Sequence, residues 1–185
     1  MTTALLVVDV QNALCQGPWA VFHVQTIVAR INAVIRHTRA TGGTVIFIQH
    51  EEAHETMRHG SPGWQLFDAL EARTDDLRVR KTACDAFFNT DLRSLLAARG
   101  VDHVRVCGMQ TEYCVDSTVR GALANGLSVT LAGDGHSTLD NGVLSAEQII
   151  RHHNATMANL GNFGPTIEVR TAAEVCAAGV GDVAA

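Results

Sequence analysis

Apolar and polar positions fall into blocks along this chain, and their period changes between that of a strand and that of a helix. Residues 4–9, ALLVVD, are an apolar run ending in an acid, the pattern of a central parallel strand buried on both faces. From 22 to 41, Val24, Ile27, Val28, Ile31, Val34 and Ile35 recur at helical spacing, and Gly42-Gly43 closes the segment. Thr44 to Gln49 reads as a second strand. Residues 50–78 hold no sustained period. They contain Gly60-Ser61-Pro62-Gly63-Trp64 and a short helical pattern near 65–71, and a loop this long is usually functional or disordered.

A third strand is expected at 78–81. A helix over 90–99 packs Leu92, Leu95 and Leu96 and stops at Gly100, and a fourth strand covers 103–107. The next helix spans about 113–125. Strand five runs from Leu127 to Leu131, ahead of Gly133-Asp134-Gly135. A helix near 144–160 sets Ala146, Ile149, Ile150, His153, Met157 and Leu160 on one face, which makes His153 a core or interface histidine. A last strand is Thr166 to Val169. One more helix follows Thr171, then an Ala/Gly/Val tail expected to fray.

Repeated strand–helix units predict an α/β fold, a parallel sheet with helices on both faces. No repeat, low-complexity segment or linker interrupts the chain, so residues 1–185 read as a single domain, long enough for a substantial core. An apolar content of 46% fits a globular chain, and a net charge of −5 offers no basic face for nucleic acid. No apolar stretch reaches the roughly 20 residues that span a bilayer. MTTALLVVD has no charged region ahead of its apolar run, so it is expected to be a strand and not a secretory leader. Cys15, Cys84, Cys107, Cys114 and Cys176 are odd in number and lack a C-x-x-C pair, which points to a reduced, cytoplasmic protein.

The most informative stretch is VCGMQTEYCVDSTVRGALANG, residues 106–126. An apolar run turns at Gly108 and enters a helical pattern of Val115, Thr118, Val119, Ala122 and Leu123. Cys114 thus falls where a strand hands over to a helix, where free N–H groups and the helix dipole favour a thiolate and hold an oxyanion. Alone, it reads first as a small buried hydrophobe, the usual fate of a free cysteine. Two further residues change the balance. Asp9 ends the first strand, where open parallel sheets place their ligands, although a capping role is the alternative. Lys81 is the only lysine among 14 basic residues and ends the third strand. A compact ammonium with a movable pKa at that point is either selected or an accident of an arginine-rich composition. Together the three form a coherent set in which Asp9 takes the thiol proton, Lys81 stabilises charge and Cys114 attacks a carbonyl carbon.

LLVVDVQN at 5–12, RKTACDAFFNTDL at 80–92 and GMQTEYCVDSTVRGA at 108–122 resemble, in that order, the motifs of the isochorismatase-like cysteine hydrolases, which include nicotinamidases, N-carbamoyl amidases and streptothricin hydrolase. The resemblance implies a three-layer α/β/α, Rossmann-like, doubly wound six-stranded sheet of order 3-2-1-4-5-6. It makes Asp9 the general base, Lys81 the family lysine and Cys114 the nucleophile. It implies a cis peptide at Met109–Gln110, with the amides of Gln110 and Cys114 as the oxyanion hole. True isochorismatases, which cleave a vinyl ether, replace the cysteine, so its presence favours acyl transfer. The family also implies a homodimer or homotetramer, in keeping with the few charges after Arg120.

Metal-binding nicotinamidases carry Asp-x-His after the second strand. Here the stretch is IQHEEAHE, with Gln49 at the first acid position. His50, Glu52, His54 and His59 suit zinc in type but not in spacing, so no metal and no other cofactor is expected. Cys114-x5-Arg120 has phosphatase-loop spacing but no glycine-rich cradle, and no nucleotide motif is present. Trp64, Phe88 and Tyr113 are candidate pocket walls, with core packing as the alternative for Trp64 and Phe88. Gln11, two residues past Asp9, orients the acid or the substrate, or makes a turn hydrogen bond. Glu112 also flanks the cysteine, and His136 and His152 have no assigned role. The sequence reading is a metal-independent hydrolase of a small-molecule amide-type C–N bond. The alternatives are a zinc-assisted nicotinamidase and a catalytically idle binding or assembly module.

Overall fold

The computed structural model describes residues 2–178. Strand β1 (Thr3–Val8) is buried from Ala4 onward. A short helix α1 (Asn12–Cys15) and a 3-10 turn at Gly17–Trp19, neither marked by the apolar pattern, lead into α2 (Val24–Ala40). β2 (Thr44–His50) and β3 (Leu77–Lys81) flank the long loop. Then follow α3 (Leu92–Ala97), β4 (His103–Met109), α4 (Asp116–Ala124), β5 (Ser128–Ser137), α5 (Ala146–Ala158), β6 (Ile167–Arg170) and α6 (Ala172–Ala177). The expected Ala/Gly/Val tail lies outside the described residues. No helix among those described is long and apolar enough to cross a membrane.

All sheet pairings are parallel and the order is 3-2-1-4-5-6, the arrangement the family motifs implied. Strand side chains alternate between the two faces. Leu5 and Val7 pack with Ile31, Ile35, Phe47 and Val175 on one side. Leu6 and Val8 pack with Ile46, Leu92, Leu96, Val119 and Leu123 on the other. Each such side chain contributes about 1.5–3 kcal/mol on burial, which holds the strand ends in fixed positions.

Three departures from the sequence pattern bear on the site. The helix expected near 65–71 does not form, because this segment binds the chain that leaves β1. Leu66 bridges Gln11 antiparallel, and the Phe67 N–H donates to the Val10 carbonyl 3.0 Å away. β5 continues to Ser137 instead of ending at Leu131. The Gly133-Asp134-Gly135 segment occupies a register shift, after which Gly108 pairs with His136 and Met109 with Ser137. Helix α4 is entered through a π-turn at Thr111–Val115, in which Val115 N–H donates to the Gln110 carbonyl five residues back. Such turns favour functional positions.

The ends of β1 and β4 approach closely because Gly108 has no side chain. It pairs with Val8, adopts φ +125°, and a Cβ there would lie 2.0 Å from the Val8 carbonyl oxygen. The Met109–Gln110 peptide that follows is cis.

Candidate active site

Asp9 follows β1 in a left-handed conformation (φ 50°), and its carboxylate is 1% exposed. Lys81, the last residue of β3, is 2% exposed and pairs in register with His50 of β2. Its ammonium extends past the end of β2. There Nζ donates to Asp9 Oδ2 at 2.7 Å, to the Ala83 carbonyl at 3.1 Å and to Cys114 Sγ at 3.1 Å. His50 Nδ1 is a fourth neighbour at 3.4 Å. Three residues that stand apart in the sequence therefore meet at the carboxyl edge of the sheet, together with His50, which the sequence offers only as a metal-type ligand. Its one sequence signal was a place at a strand end, shared with Asp9 and Lys81.

The electrostatics differ from those of a helix N-terminus. Burial, then the Asp9 carboxylate, push the Cys114 thiol up, and Lys81 only partly offsets them. The expected lowering of the thiol is thus corrected: the cysteine lies in a desolvated π-turn beside a carboxylate. Burial pulls the Lys81 ammonium down, but Asp9 and Cys114 together hold it above its ordinary value. These shifts favour the ammonium form of Lys81 and the protonated thiol of Cys114 at rest. Asp9 Oδ1 has no hydrogen-bond partner among the described residues and is free to accept a proton.

Gln11 holds the surrounding backbone. Its Oε1 accepts from His50 N–H at 2.9 Å, and its Nε2 donates to the carbonyls of His50 at 3.0 Å and Trp64 at 2.8 Å. Gln49 Nε2 also donates to the Trp64 carbonyl, at 3.0 Å. Trp64 is 8% exposed, its ring lies edge-on to His59, and its indole N–H is buried without a partner among the described residues. Phe88 and Tyr113 are 58% and 51% exposed, on the segments that follow Lys81 and precede Cys114. His136, without a role in the sequence reading, is fully buried between Thr111 Oγ1 and Asn154 Oδ1, each at 2.9 Å, and so braces the first residue of the π-turn. His153 contacts the Asp116 carboxylate at 3.2 Å.

Among the described residues, the metal-type ligand atoms within 4.8 Å of one another belong to Asp9, His50 and Cys114. Lys81 Nζ lies against all three, so this cluster already surrounds a cation. His54 and His59 are not part of it.

A model of the isochorismatase domain matches residues 3–169. A streptothricin hydrolase of Streptomyces noursei is 38% identical over 138 residues, 74% of this chain and 50% of that protein, so the chain spans about half its length. A ureidoacrylate amidohydrolase, RutB, of Caulobacter vibrioides is 29% identical over 156 residues, covering 64% of this chain and 69% of that one. The solved structure of a cysteine hydrolase from Pseudomonas syringae pv. phaseolicola is 28% identical with a TM-score of 0.81, covering 95% of this chain and 91% of the other.

Proposed function

The chain belongs to the isochorismatase-domain family, and within it we propose that this protein is a cysteine-dependent hydrolase of an amide-type C–N bond in a small molecule. Cys114 Sγ attacks the carbonyl carbon while its proton passes to Asp9. The oxyanion takes hydrogen bonds from the amides of Gln110 and Cys114. As the C–N bond breaks, Asp9 returns the proton to the leaving amine, and a thioester remains on Cys114. A water then loses a proton to Asp9, its oxygen attacks the thioester carbon, the C–S bond breaks, and Asp9 reprotonates the sulfur. Lys81 stays charged throughout and follows the negative charge from Asp9 to sulfur and back. Trp64, Phe88 and Tyr113 are the candidate substrate-facing residues, whereas Gln11, also a candidate from the sequence, is fully buried with its amide spent on the His50 and Trp64 backbone.

The observation that carries this reading is the placement of one buried ammonium 2.7 Å from Asp9 Oδ2 and 3.1 Å from Cys114 Sγ. Likeness to a ureidoacrylate amidohydrolase supports the C–N bond as target. The zinc-assisted alternative lacks support from Gln49, a neutral amide that donates to the Trp64 carbonyl where the first acid ligand would stand. The idle-module alternative is disfavoured energetically. A buried ion pair is rarely more stabilising than a packed apolar pair, so Lys81 and Asp9 are better explained by chemistry than by support. The test is a panel of amides, ureido and carbamoyl compounds with purified protein, with acid-quenched samples weighed by mass spectrometry. An acyl adduct on the Cys114 peptide and complete loss of turnover in Cys114→Ala are expected. Turnover that survives Cys114→Ala would overturn the mechanism.

A further inference from the structure

Lys81 Nζ has three hydrogens and four neighbours: Asp9 Oδ2 at 2.7 Å, the Ala83 carbonyl and Cys114 Sγ at 3.1 Å, and His50 Nδ1 at 3.4 Å. The chemistry of the two imidazole partners fixes the tautomer. An ammonium only donates, so Nδ1 must carry the lone pair. A carboxylate only accepts, so Nε2, which is 3.3 Å from Glu52 Oε1, must carry the hydrogen. Both the backbone N–H and the carbonyl of His50 are held by the Gln11 side chain, so the ring is presented from a fixed base.

We propose that His50 is a positioning residue for Lys81: its unprotonated Nδ1 shares the ammonium hydrogen that the resting thiol accepts only weakly. The proposal rests on the reading of Lys81 as the group that stabilises the Cys114 thiolate. A protonated thiol is a weak acceptor, and burial keeps Cys114 in that form at rest. Without His50, the ammonium has only Asp9 and the Ala83 carbonyl as good acceptors, and its third hydrogen has only the weak thiol. With His50 in reach, each of the three hydrogens has a good acceptor. When the thiol proton passes to Asp9, one N–H turns from Nδ1 to the thiolate 3.1 Å away, with no displacement of the lysine chain. Glu52 completes the device by fixing the imidazole hydrogen on Nε2.

The test uses full-length protein and iodoacetamide at pH 8, with alkylation rate constants for each cysteine obtained by peptide mapping. Exposed Cys84 serves as internal reference. Lys81→Met reports on the underlying reading and is expected to slow Cys114 at least roughly tenfold, the loss of one charge-assisted hydrogen bond. His50→Asn places a non-titrating oxygen where Nδ1 stands. His50→Gln is equally polar but reaches further, and His50→Ala removes the acceptor. Alkylation of Cys114 should slow several-fold to about tenfold in the Ala and Gln variants and recover in the Asn variant. If all three match the wild type while Lys81→Met is slow, the role of His50 is overturned and the site reading stands. If the Asn variant is as slow as the Ala variant, acceptor geometry is not the cause and the proposal also falls. If Lys81→Met matches the wild type, the reading of Lys81 itself fails.

Discussion

Lys81 Nζ lies 2.7 Å from Asp9 Oδ2, although strand β2 separates the strands that carry them and both side chains are shut off from solvent. A pair this buried is held by its own attraction against a large desolvation cost, so neither member is tolerable alone.

Lys81→Met should therefore lower stability by about 3–5 kcal/mol, because it leaves an uncompensated carboxylate in the interior. Adding Asp9→Leu should restore most of that loss without restoring any turnover. Urea denaturation followed by circular dichroism gives both values. If the double variant is no more stable than Lys81→Met, the cost does not come from the stranded charge.

The resting thiols should react in an order set by exposure. Cys84 is exposed, whereas burial pushes Cys107 up and Cys15 up to about 12. At neutral pH, Cys84 should be alkylated first and Cys15 and Cys107 last. The Cys114 rate should climb as pH rises, because its thiol is held up by burial and by Asp9. Cys114→Ala should keep the fold within about 1–2 kcal/mol while abolishing turnover, since a half-buried thiol contributes little packing. Labelling of Cys107 ahead of Cys84 would contradict the burial order.

Gln11 serves the site at one remove. Gln11→Leu would strip the His50 N–H and carbonyl of their partner and take one of two donors from the Trp64 carbonyl. The expected loss is about 2–4 kcal/mol, from buried backbone groups left unsatisfied. Amide hydrogen exchange should quicken around His50 and along residues 60–67. Unchanged exchange in both segments would show that Gln11 does not tie them.

The family motifs imply a homo-oligomer. Trp19 and Val143 are 66% and 86% exposed, and Phe22 and Leu144 are also exposed, which makes them candidates for such an interface. Light scattering should give a multiple of the 19.8 kDa chain mass, and Val143→Asp should weaken the association. A species of single-chain mass at all concentrations would refute this.

The sequence disclosed what depends on local pattern. β1 was readable because both its faces are buried, and α2 because its apolar residues keep one face for about three turns. Lys81 stood out through composition, through its place at the end of a short alternating run and through the motif at 80–92. Other features depend on contacts between distant segments. Residues 65–71 have a helical pattern, yet they bind Val10 and Gln11. Gly133-Asp134-Gly135 looks like a strand end, yet it fills a register shift that only the pairing of β4 and β5 defines. His50 reads from the sequence only as a candidate metal ligand at the head of the long loop. Only the reach of Lys81 across the end of β2 brings it into the site.

Burial, above all, holds His136 at about 4, below its ordinary 6.5, with the Asn154 hydrogen bond opposing and His153 adding to the shift. The sign is fixed by proton counts. Between 6.5 and 4 the unfolded chain carries a proton on this imidazole and the folded chain does not. Acid therefore favours unfolding in that window. The contribution is fully present above the unfolded value and declines as pH falls toward 4. A shift of that size in a fully buried ring corresponds to about 3 kcal/mol. His37 and His103 are also lowered by burial and add to the same trend, so the wild-type slope alone does not isolate His136. The difference between wild type and His136→Gln does. Urea titrations at pH 7.5, 6 and 5 should show the variant less stable at pH 7.5, since it disturbs the contacts to Thr111 and Asn154. Its disadvantage should narrow as pH falls. Turnover should decline with the same acid limb as stability, because Thr111 opens the π-turn that carries Cys114. A constant gap between the two proteins across this range would mean that His136 does not titrate on unfolding.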